Sequence, residues 1–301
     1  MMIEPISLQP IPYQGSKRAL APRICGLFPP SIKTLYEPFA GSAAVTVYAA
    51  SHNLADRFVI GDSYIPLVDL WEMLIEHPTE LSDRYAEVWQ AQFAVGPSHF
   101  NEVRARYNDK RDPVLLLYLI ARCVKNAVRF GKTGTFTQSH DKRRTGMKPD
   151  KVTRTAHAVS RLLKGRTSLY RGDFRDCILD ASPEDLVYMD PPYAGTTYGR
   201  DKRYANGLER NPLIDGLHDL VQRRVPYILS YDGQLGEKVY AAPLPSSIEA
   251  DHLQLHAGRS SQATILGRDD VTIESLYVSR SLNAAHADVF ERQPAQARLF
   301  G

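Results

Sequence analysis

The stretch TLYEPFAGSAAVTVYAASH, at residues 34–52, decides the fold class. Its first segment, Thr34–Glu37, predicts a short buried strand, and the segment Pro38–Gly41 predicts a turn. The small and apolar residues after the turn predict a helix, with Ser42 in the N-cap position. A strand, a turn and a helix in this order form the first half of a βαβ unit, which is typical of parallel sheets.

The same order of elements is repeated along the chain. RFVIGD, at residues 57–62, predicts a second strand, and IPLVDLWEMLIEH, at residues 65–77, predicts a second helix. Between about residues 76 and 164 the pattern gives way to helical segments and a loop rich in Gly, Thr, Lys and Arg. It then resumes in TSLYRGDF, DLVYMDPPY, LIDGLHDLVQRR, PYILSYD, DHLQLHA and IESLYVS. The sequence therefore predicts an α/β fold with a doubly wound, mostly parallel sheet and an inserted helical and hairpin domain.

The composition indicates a soluble globular protein of the cytoplasm. The chain has 301 residues, of which 43% are hydrophobic and 24% are charged. Its first ten residues do not resemble a signal peptide, and the longest apolar run, PVLLLYLIA, is too short to span a bilayer. The three cysteines are widely spaced, and the nine histidines form no H-x-x-H pattern, so we expect neither a disulfide framework nor a metal site.

The charge is segregated along the chain. The net charge is +3, but residues 122–171 contain 14 Lys or Arg and only two acids, so the rest of the chain is acidic overall. A basic insert in an acidic body is typical of a module that binds a polyanion, although a solvated basic surface has the same composition. We expect a catalytic domain formed by residues 1–75 and 165–281, a target-recognition domain at 76–164 and a flexible tail at 282–301.

Acidic residues follow or end four of the predicted strands, where ligands bind in open α/β sheets. They are Glu37, Asp62, Asp173 and Asp190. Each could be a solvated strand terminus, but together they favour a nucleoside-like cofactor whose hydroxyl groups donate to carboxylates. The sequence contains neither G-x-G-x-x-G nor G-x-x-x-x-G-K-[ST], which argues against a dinucleotide or a nucleoside triphosphate.

The tetrapeptide from Asp190 to Tyr193 predicts a specific chemistry. The exocyclic amine of a nucleobase is a weak nucleophile because its lone pair is delocalised into the ring. The Asp190 carboxylate and the Pro191 carbonyl could accept its two N–H bonds and localise that pair, while Pro191 and Pro192 hold the carbonyl direction. Tyr193 could stack on a base that has been rotated out of the duplex. The alternative is a rigid polar turn with Tyr193 packed in the core.

Several motifs, taken in order, resemble the DNA N6-adenine methyltransferases, and more narrowly the DNA adenine methylase family. They are PYQGSKRALAPRI, LYEPFAGSAAV, GDS, RGDF, YMDPPY and ILSYDG, within about residues 11–280. This resemblance implies S-adenosylmethionine as the methyl donor and the doubly wound fold of the methyltransferases that use it. It also implies a direct in-line transfer to the N6 amine of a flipped-out adenine, with no covalent enzyme intermediate.

The resemblance also implies roles for individual residues. The residues that it implies for cofactor binding are Tyr13, Lys17, Glu37, Phe39, Gly41, Asp62, Asp173, Phe174 and Asp190. Among these, Asp62 would take the ribose hydroxyls, and Asp173 and Phe174 would hold the cofactor adenine. The target adenine and the catalysis would fall to Asp190, Pro191, Pro192 and Tyr193.

The insert resembles the recognition region of the same family, with Lys125-Asn126-Ala127 where Tyr-Asn-Gly is usual. Base readout needs a few side chains in the major groove, and other basic residues contact phosphates. The candidates for DNA binding are Asn126, Arg129, Lys132, Lys142, Arg143, Arg144 and Lys148. Nothing in the sequence separates base contacts from phosphate contacts, so no target sequence is predicted.

Other readings of the chain stay open at this stage. The same acceptor geometry suits the N4 amine of cytosine, and a catalytically silent relative could act as a DNA-binding regulator. RNA, a protein amide and a nicotinamide cofactor are less well supported. The segment Gln296–Phe300, QARLF, resembles the short peptides that dock on the bacterial sliding clamp, which would be a second partner besides double-stranded DNA.

Overall fold

The computed structural model describes residues 8–131, 134–192, 210–231, 234–235, 238–239, 244–259 and 271–284. The strands are β1 (Thr34–Glu37), β2 (Arg57–Asp62), β3 (Thr167–Arg171), β4 (Leu186–Met189), β5 (Tyr227–Ser230), β6 (Gln234–Leu235), β7 (Lys238–Val239), β8 (Ala250–Arg259) and β9 (Val271–Ser279). The helices are α1 (Ala21–Cys25), α2 (Ala44–Ser51), α3 (Ile65–Glu76), α4 (Pro78–Val95), α5 (His99–Lys110), α6 (Pro113–Arg122), α7 (Pro149–Leu163), α8 (Phe174–Cys177), α9 (Arg210–Gln222) and α10 (Arg280–Ala284).

The strands form one twisted sheet in the order β3-β2-β1-β4-β5-β9. The first four of these pairings are parallel, and β9 runs antiparallel to β5. Beyond β9 lies β8, and the short strands β6 and β7 continue the sheet beside the other part of β9. This order confirms the prediction of a mostly parallel, doubly wound sheet. It arises because strand–helix–strand connections place consecutive strands side by side.

Helices cover both faces of the sheet, and β4 shows how the sequence divides between them. Leu186 and Tyr188 belong to the apolar cluster on one face, whereas Val187 and Met189 belong to the cluster on the other face. Successive side chains of a strand point to opposite faces, so all four residues of β4 are buried. This explains why the run reads as continuously apolar in the sequence.

The insert packs on the catalytic body through an uninterrupted apolar cluster. Buried side chains run from Trp71 of α3 through Leu116 of α6 to Val159 of α7. A hydrogen bond from the Ser160 hydroxyl to the Ile75 carbonyl, at 2.7 Å, also joins α7 to α3. The two segments predicted as separate domains thus share a core, and the boundaries at residues 76 and 164 stay predictions.

The segment predicted as a flexible tail begins inside the folded structure. Leu282 lies in α10 and is only 1% exposed, because it packs into the cluster that covers one face of the sheet. Leu282 is therefore part of the core, and the flexibility predicted for residues 282–301 stays a prediction. Residues 285–301 lie outside the described part of the chain.

The approach of β2 to α8 is close enough to require a glycine. A Cβ atom added at Gly61 would lie 2.7 Å from the Cys177 sulfur and 3.4 Å from the Pro38 Cα. Cys177 is buried and the contact with Pro38 is with its backbone, so neither neighbour can move away from an added Cβ without disturbing the packing.

We expect Gly61→Ala to lower the free energy of unfolding by ~1–3 kcal/mol, which is typical of overpacking a core. Adding Cys177→Ala to Gly61→Ala should restore part of the lost free energy of unfolding, because it removes the sulfur that the new methyl group meets. Urea unfolding of the two single variants and the double variant measures the coupling between the sites. Equal costs of Gly61→Ala with and without Cys177 would contradict this account of the contact.

Candidate active site

A cavity of about 370 Å³ opens at the carboxyl ends of the parallel strands. β1 lies between β2 and β4 in the sheet, and the cavity lies at this position. The connections that leave the neighbouring strands β1 and β4 run in opposite directions across the sheet. Such a reversal of strand order leaves a crevice between the connections, and this is where open α/β sheets bind ligands.

All of the predicted cofactor and catalytic residues in the described ranges line this cavity. They are Tyr13, Lys17, Glu37, Phe39, Gly41, Asp62, Asp173, Phe174, Asp190, Pro191 and Pro192. They come from positions 13 to 192 of the chain, and the sheet brings them to one edge. Their juxtaposition is a finding, and their individual roles toward a ligand stay predictions.

Asp62 is fixed by backbone donors on both oxygens. Its Oδ2 accepts from the Gly41 N–H at 3.2 Å, and its Oδ1 accepts from the Tyr64 N–H at 2.9 Å. Burial raises the pKa of Asp62 to about 6, against the lowering effect of these two hydrogen bonds. Each carboxylate oxygen keeps a further lone pair, so Asp62 can still accept from a hydroxyl group of a ligand.

Glu37, at the end of β1, accepts a hydrogen bond from the first turn of α2. Its Oε2 accepts from the Thr46 N–H at 2.8 Å, in the first turn of the helix, where a carboxylate is favoured by the helix dipole. The carboxyl group is nevertheless deeply buried, and burial raises the pKa of Glu37 to about 8. Glu37 therefore holds its proton over much of the neutral range.

The predicted N-cap role of Ser42 is wrong. The helix begins one residue later than expected, after Ala43, which has left-handed backbone angles (φ 41°, ψ 43°) and offers no side-chain cap. The Ser42 hydroxyl donates to the Ser16 hydroxyl at 2.8 Å instead. Since Glu37 already supplies an acceptor to the first turn, Ser42 is available to join α2 to the loop that carries Lys17.

Two aromatic rings form an apolar wall of the cavity. The centroids of Phe39 and Phe174 lie 5.0 Å apart, and the rings are tilted by 32°. Asp173, beside them, caps α8 by accepting from the Arg175 N–H at 2.9 Å, and it pairs with the Arg175 guanidinium, which lowers the pKa of Asp173. The flat apolar wall suits a ring system such as a nucleobase.

Asp190 and Lys17 form the ion pair at the centre of the site. The Lys17 Nζ lies 2.9 Å from the Asp190 Oδ1, and the side chains are 8% and 19% exposed, respectively. Burial raises the pKa of Asp190 to about 6, and the Lys17 charge acts in the opposite direction. Asp190 is therefore ionised at neutral pH but is more basic than an exposed aspartate.

Several residues of the site are not predicted from the sequence. Tyr64 and Phe130 line the cavity with ring centroids 4.6 Å apart, and the Tyr64 hydroxyl is hydrogen-bonded to the Tyr107 hydroxyl of α5. Ser16, Ser42 and Ser63 also line it. Position could have indicated Tyr64, two residues after Asp62, whereas Phe130 belongs to the insert and reaches the cavity only through the tertiary fold.

The predicted DNA-binding residues that fall in the described ranges do not line the cavity but lie on the insert. Lys142, Arg143, Arg144 and Lys148 are exposed, and Arg129 and Asn126 are partly buried. Asn126 is engaged within the protein: its amide donates to the Ile120 carbonyl at 2.9 Å, and its oxygen accepts from Arg144 at 3.4 Å. Its predicted contact with DNA stays untested, and the side chain has a local structural role at the end of α6.

A buried aspartate organises two of these arginines. Asp141 is 5% exposed and accepts from the backbone N–H and the guanidinium of Arg143, at 3.0 and 3.2 Å. The Arg144 guanidinium lies 3.5 Å from the same carboxylate. These hydrogen bonds and charges lower the pKa of Asp141, and they leave most of the Arg143 side chain, 86%, exposed to solvent.

Some predictions concern residues outside the described ranges. They are Tyr193, Lys132 and the segment Gln296–Phe300. Within those ranges, no cluster of three or more His, Cys, Asp or Glu residues could hold a metal ion. The helices described here include none with the length and apolar character needed to cross a membrane.

The buried Glu37 carboxyl group predicts a pH dependence of stability. Its pKa is raised from 4.5 to about 8, so between these values the folded chain keeps a proton that the unfolded chain has lost. The free energy of unfolding therefore falls as the pH rises through this window. Glu37→Gln keeps an acceptor for the Thr46 N–H but does not titrate.

We expect the stability of Glu37→Gln, relative to the original chain, to increase between pH 5 and pH 8.5 by at least about 1 kcal/mol, the equivalent of one pKa unit. Urea unfolding at both pH values measures this difference. Glu184→Gln is the matched control, since Glu184 is exposed and pairs with Lys33 at the surface. A relative stability of Glu37→Gln that does not change with pH would show that Glu37 titrates normally.

The chain was compared with known proteins. It is 26% identical over 200 residues to the modification methylase LlaI of Lactococcus lactis subsp. lactis, covering 63% of this chain and 30% of that protein. It is 23% identical over 283 residues to the type II methyltransferase M.FokI of Planomicrobium okeanokoites, covering 90% and 43%. It is 24% identical over 256 residues to a DNA adenine methylase of Serratia marcescens, covering 80% and 88%. The chain thus spans less than half the length of the first two relatives.

A family model also matches residues 13–261, a range that starts at Tyr13 on the cavity wall and contains all the cavity-lining residues. Because this match covers most of the chain, the protein belongs to the D12 class N6 adenine-specific DNA methyltransferases.

Proposed function

We propose that this protein transfers a methyl group from S-adenosylmethionine to the N6 amine of a flipped-out adenine at specific sites in double-stranded DNA. The observation that carries the proposal is the position of Asp190, which lies half-buried at the end of β4, pairs with Lys17 and is followed by Pro191 on the wall of the cavity. Membership of the family and the names of the bacterial relatives support the same reaction.

The cavity fits the proposed methyl donor in size and chemistry. Its volume of about 370 Å³ lies within the range of small-molecule sites. S-adenosylmethionine would supply an electrophilic methyl group. Asp62 can accept from ribose hydroxyls, and the wall formed by Phe39 and Phe174 can contact an adenine ring, with Asp173 beside it. Tyr13, Glu37 and Gly41 would shape the remaining part of the pocket, toward Lys17 and Asp190.

The role that we propose for Asp190 follows from its charge and its environment. Its pKa of about 6 leaves it ionised near pH 7.5, so that it can accept an N–H of the adenine amine. The Pro191 carbonyl would accept the other N–H, which localises the nitrogen lone pair for in-line attack on the methyl carbon. The nitrogen would gain the methyl group as the methyl carbon–sulfur bond of the donor breaks and S-adenosylhomocysteine leaves, and its surplus proton would go to Asp190 or to solvent.

The basic insert would hold the DNA. Arg143 and Arg144 present guanidinium groups that Asp141 fixes near the surface, and preorganised guanidinium groups bind phosphate or guanine well. Tyr193 would stack on the flipped base, although this residue lies outside the described ranges.

We place this activity in the cytoplasm of a bacterium or of a phage-infected cell, since relatives come from bacteria and from a phage. Docking of Gln296–Phe300 on a sliding clamp rests on the sequence alone.

The reaction is tested by incubating mixed-sequence duplex DNA with the protein and deuterium-methyl-labelled S-adenosylmethionine, followed by digestion and nucleoside mass spectrometry. We expect labelled N6-methyldeoxyadenosine, and Asp190→Ala should lower the rate by ~100-fold or more, as for other preorganised polar groups in catalysis. Binding of the donor should largely persist in this variant, because Asp62, Phe39 and Phe174 remain.

Asp180→Ala, at a solvent-exposed aspartate, is the control and should keep normal turnover. Labelled N4-methylcytosine would reassign the target base. Normal turnover in Asp190→Ala would refute the proposed role of this carboxylate. DNA binding without any labelled base would favour a catalytically silent DNA-binding protein.

The contribution of the insert is tested by the salt dependence of DNA binding. If Lys142 contacts a phosphate, Lys142→Gln should reduce the slope of log K against log salt by about 1 and weaken all sequences similarly. The control is Lys33→Gln, because Lys33 is also exposed but precedes β1, at the opposite edge of the sheet from the cavity. An unchanged slope in Lys142→Gln would remove Lys142 from the DNA contact surface.

A further inference from the structure

A third charged group belongs to the Lys17–Asp190 pair. The Oε2 atom of Glu274 lies 3.8 Å from the Lys17 Nζ, and its side chain is only 14% exposed. The Lys17 ammonium thus has Asp190 at 2.9 Å, the Gly15 carbonyl at 3.5 Å and Glu274 at 3.8 Å. An ammonium group has three N–H donors, and these three oxygens lie around it.

The sheet explains how a residue so late in the chain reaches the active edge. In the antiparallel pairing of β9 with β5, Leu276 lies opposite Ser230, the last residue of β5. Glu274 lies two residues beyond Leu276, past the end of β5 and on the same face of the sheet. In the parallel strand β4, Asp190 likewise follows Tyr188, which shares an apolar cluster with Leu276.

Glu274 is outside the range matched by the family model, which ends at residue 261. An antiparallel strand presents its amino-terminal half at the edge where parallel strands end, so no acid-at-strand-end pattern marks Glu274 in the sequence. The two carboxylates and one ammonium carry a net charge of −1 in a largely buried setting. The desolvation of such a cluster is repaid by its internal attraction only in part, so its position at the active edge points to a role other than stability.

We propose that Glu274 is a positioning residue for methyl transfer, which holds the Lys17 ammonium to one oxygen of Asp190 and leaves the other oxygen to accept from the target amine. This inference rests on the proposed function. Without Glu274, the Lys17 ammonium would have one carboxylate neighbour fewer and would be attracted more strongly to Asp190. Asp190 would then be a weaker acceptor for the amine.

The charges around Asp190 allow the proposal to be tested through a titration. Lys17 lowers the pKa of Asp190, and Glu274 raises it. Glu37 of β1 also interacts with Asp190, and Asp62 of β2 lines the same cavity. Replacing Glu274 by glutamine removes one negative charge and changes the volume little, so the pKa of Asp190 should fall while the fold is kept.

The first readout does not depend on activity. The ¹³C resonance of the Asp190 carboxyl group, assigned with Asp190→Asn, is followed from pH 4 to pH 9 in the ligand-free protein. In Glu274→Gln this titration should move to lower pH. Glu184→Gln, which breaks the surface pair with Lys33, should leave it in place.

The second readout is the pH profile of turnover with labelled S-adenosylmethionine and duplex DNA. Glu274→Gln should lower the plateau rate by about 10-fold, less than the ~100-fold loss of a group that contacts the substrate. Its acidic limb should also move to lower pH. In a Lys17→Met background, the added Glu274→Gln change should cost little further turnover, because the positioning acts through Lys17.

An Asp190 titration and a turnover profile that are both unchanged in Glu274→Gln would overturn the inference while leaving the proposed function intact. A wild-type protein that binds DNA but transfers no methyl group would instead remove the proposed function and, with it, the role in methyl transfer. If Glu274→Gln does not fold, Glu274→Asp serves, because it keeps the charge but shortens the reach to Lys17. It should then lower turnover, and normal turnover would refute the positioning role.

Discussion

The constraint on which the site depends is the removal of three carboxyl groups from most of the solvent at the ends of neighbouring parallel strands, with Glu37 fully buried and Asp62 and Asp190 half-buried. Glu37, Asp62 and Asp190 all line one cavity, and burial raises the pKa of each of them. Each is stabilised differently. Glu37 accepts from the first turn of α2, Asp62 accepts from two backbone N–H groups, and Asp190 pairs with Lys17. These partners hold the loops after β1 and β2 and the Lys17 loop around the cavity.

The same loops connect the cavity to the insert. The Gln14 N–H donates to the Asn126 carbonyl at 3.0 Å, and Tyr64 contacts Phe130 by its ring and Tyr107 by its hydroxyl. Gln14 is next to Tyr13 on the cavity wall, and Tyr64 also holds Asp62 through its backbone. Residues of the proposed donor site therefore contact the segment proposed to bind DNA directly. The shared apolar core makes independent motion of the two parts costly.

Much of the fold could be predicted from the sequence, because its strands are short apolar runs that end in acids or turns. The bounds that the sequence predicts for β1 and β2 are the observed ones, and all the proposed cofactor residues lie in one cavity. Predictions from local sequence failed where a side chain contacts a distant part of the chain instead of its neighbours in sequence. Ser42 does not cap α2, because Glu37 reaches the helix from the strand. Phe130 and Glu274 reach the site through pairings between distant segments, which no local spacing reveals.

An acidic cluster of this kind lowers the free energy of unfolding but is well suited to acid–base chemistry. Carboxyl groups with raised pKa values reduce the free energy of unfolding as the pH rises, so the fold is least favoured under the conditions in which Asp190 is ionised. Lys17 limits this cost at Asp190 by supplying the opposite charge at 2.9 Å. A hydrophobic pair at these positions would remove the cost, as often happens when buried ion pairs are replaced, but it would also remove the charged acceptor, Asp190, at the end of β4. The persistence of a costly carboxylate beside a stiff Pro-Pro turn is therefore best explained by the chemistry that it can perform on an amine.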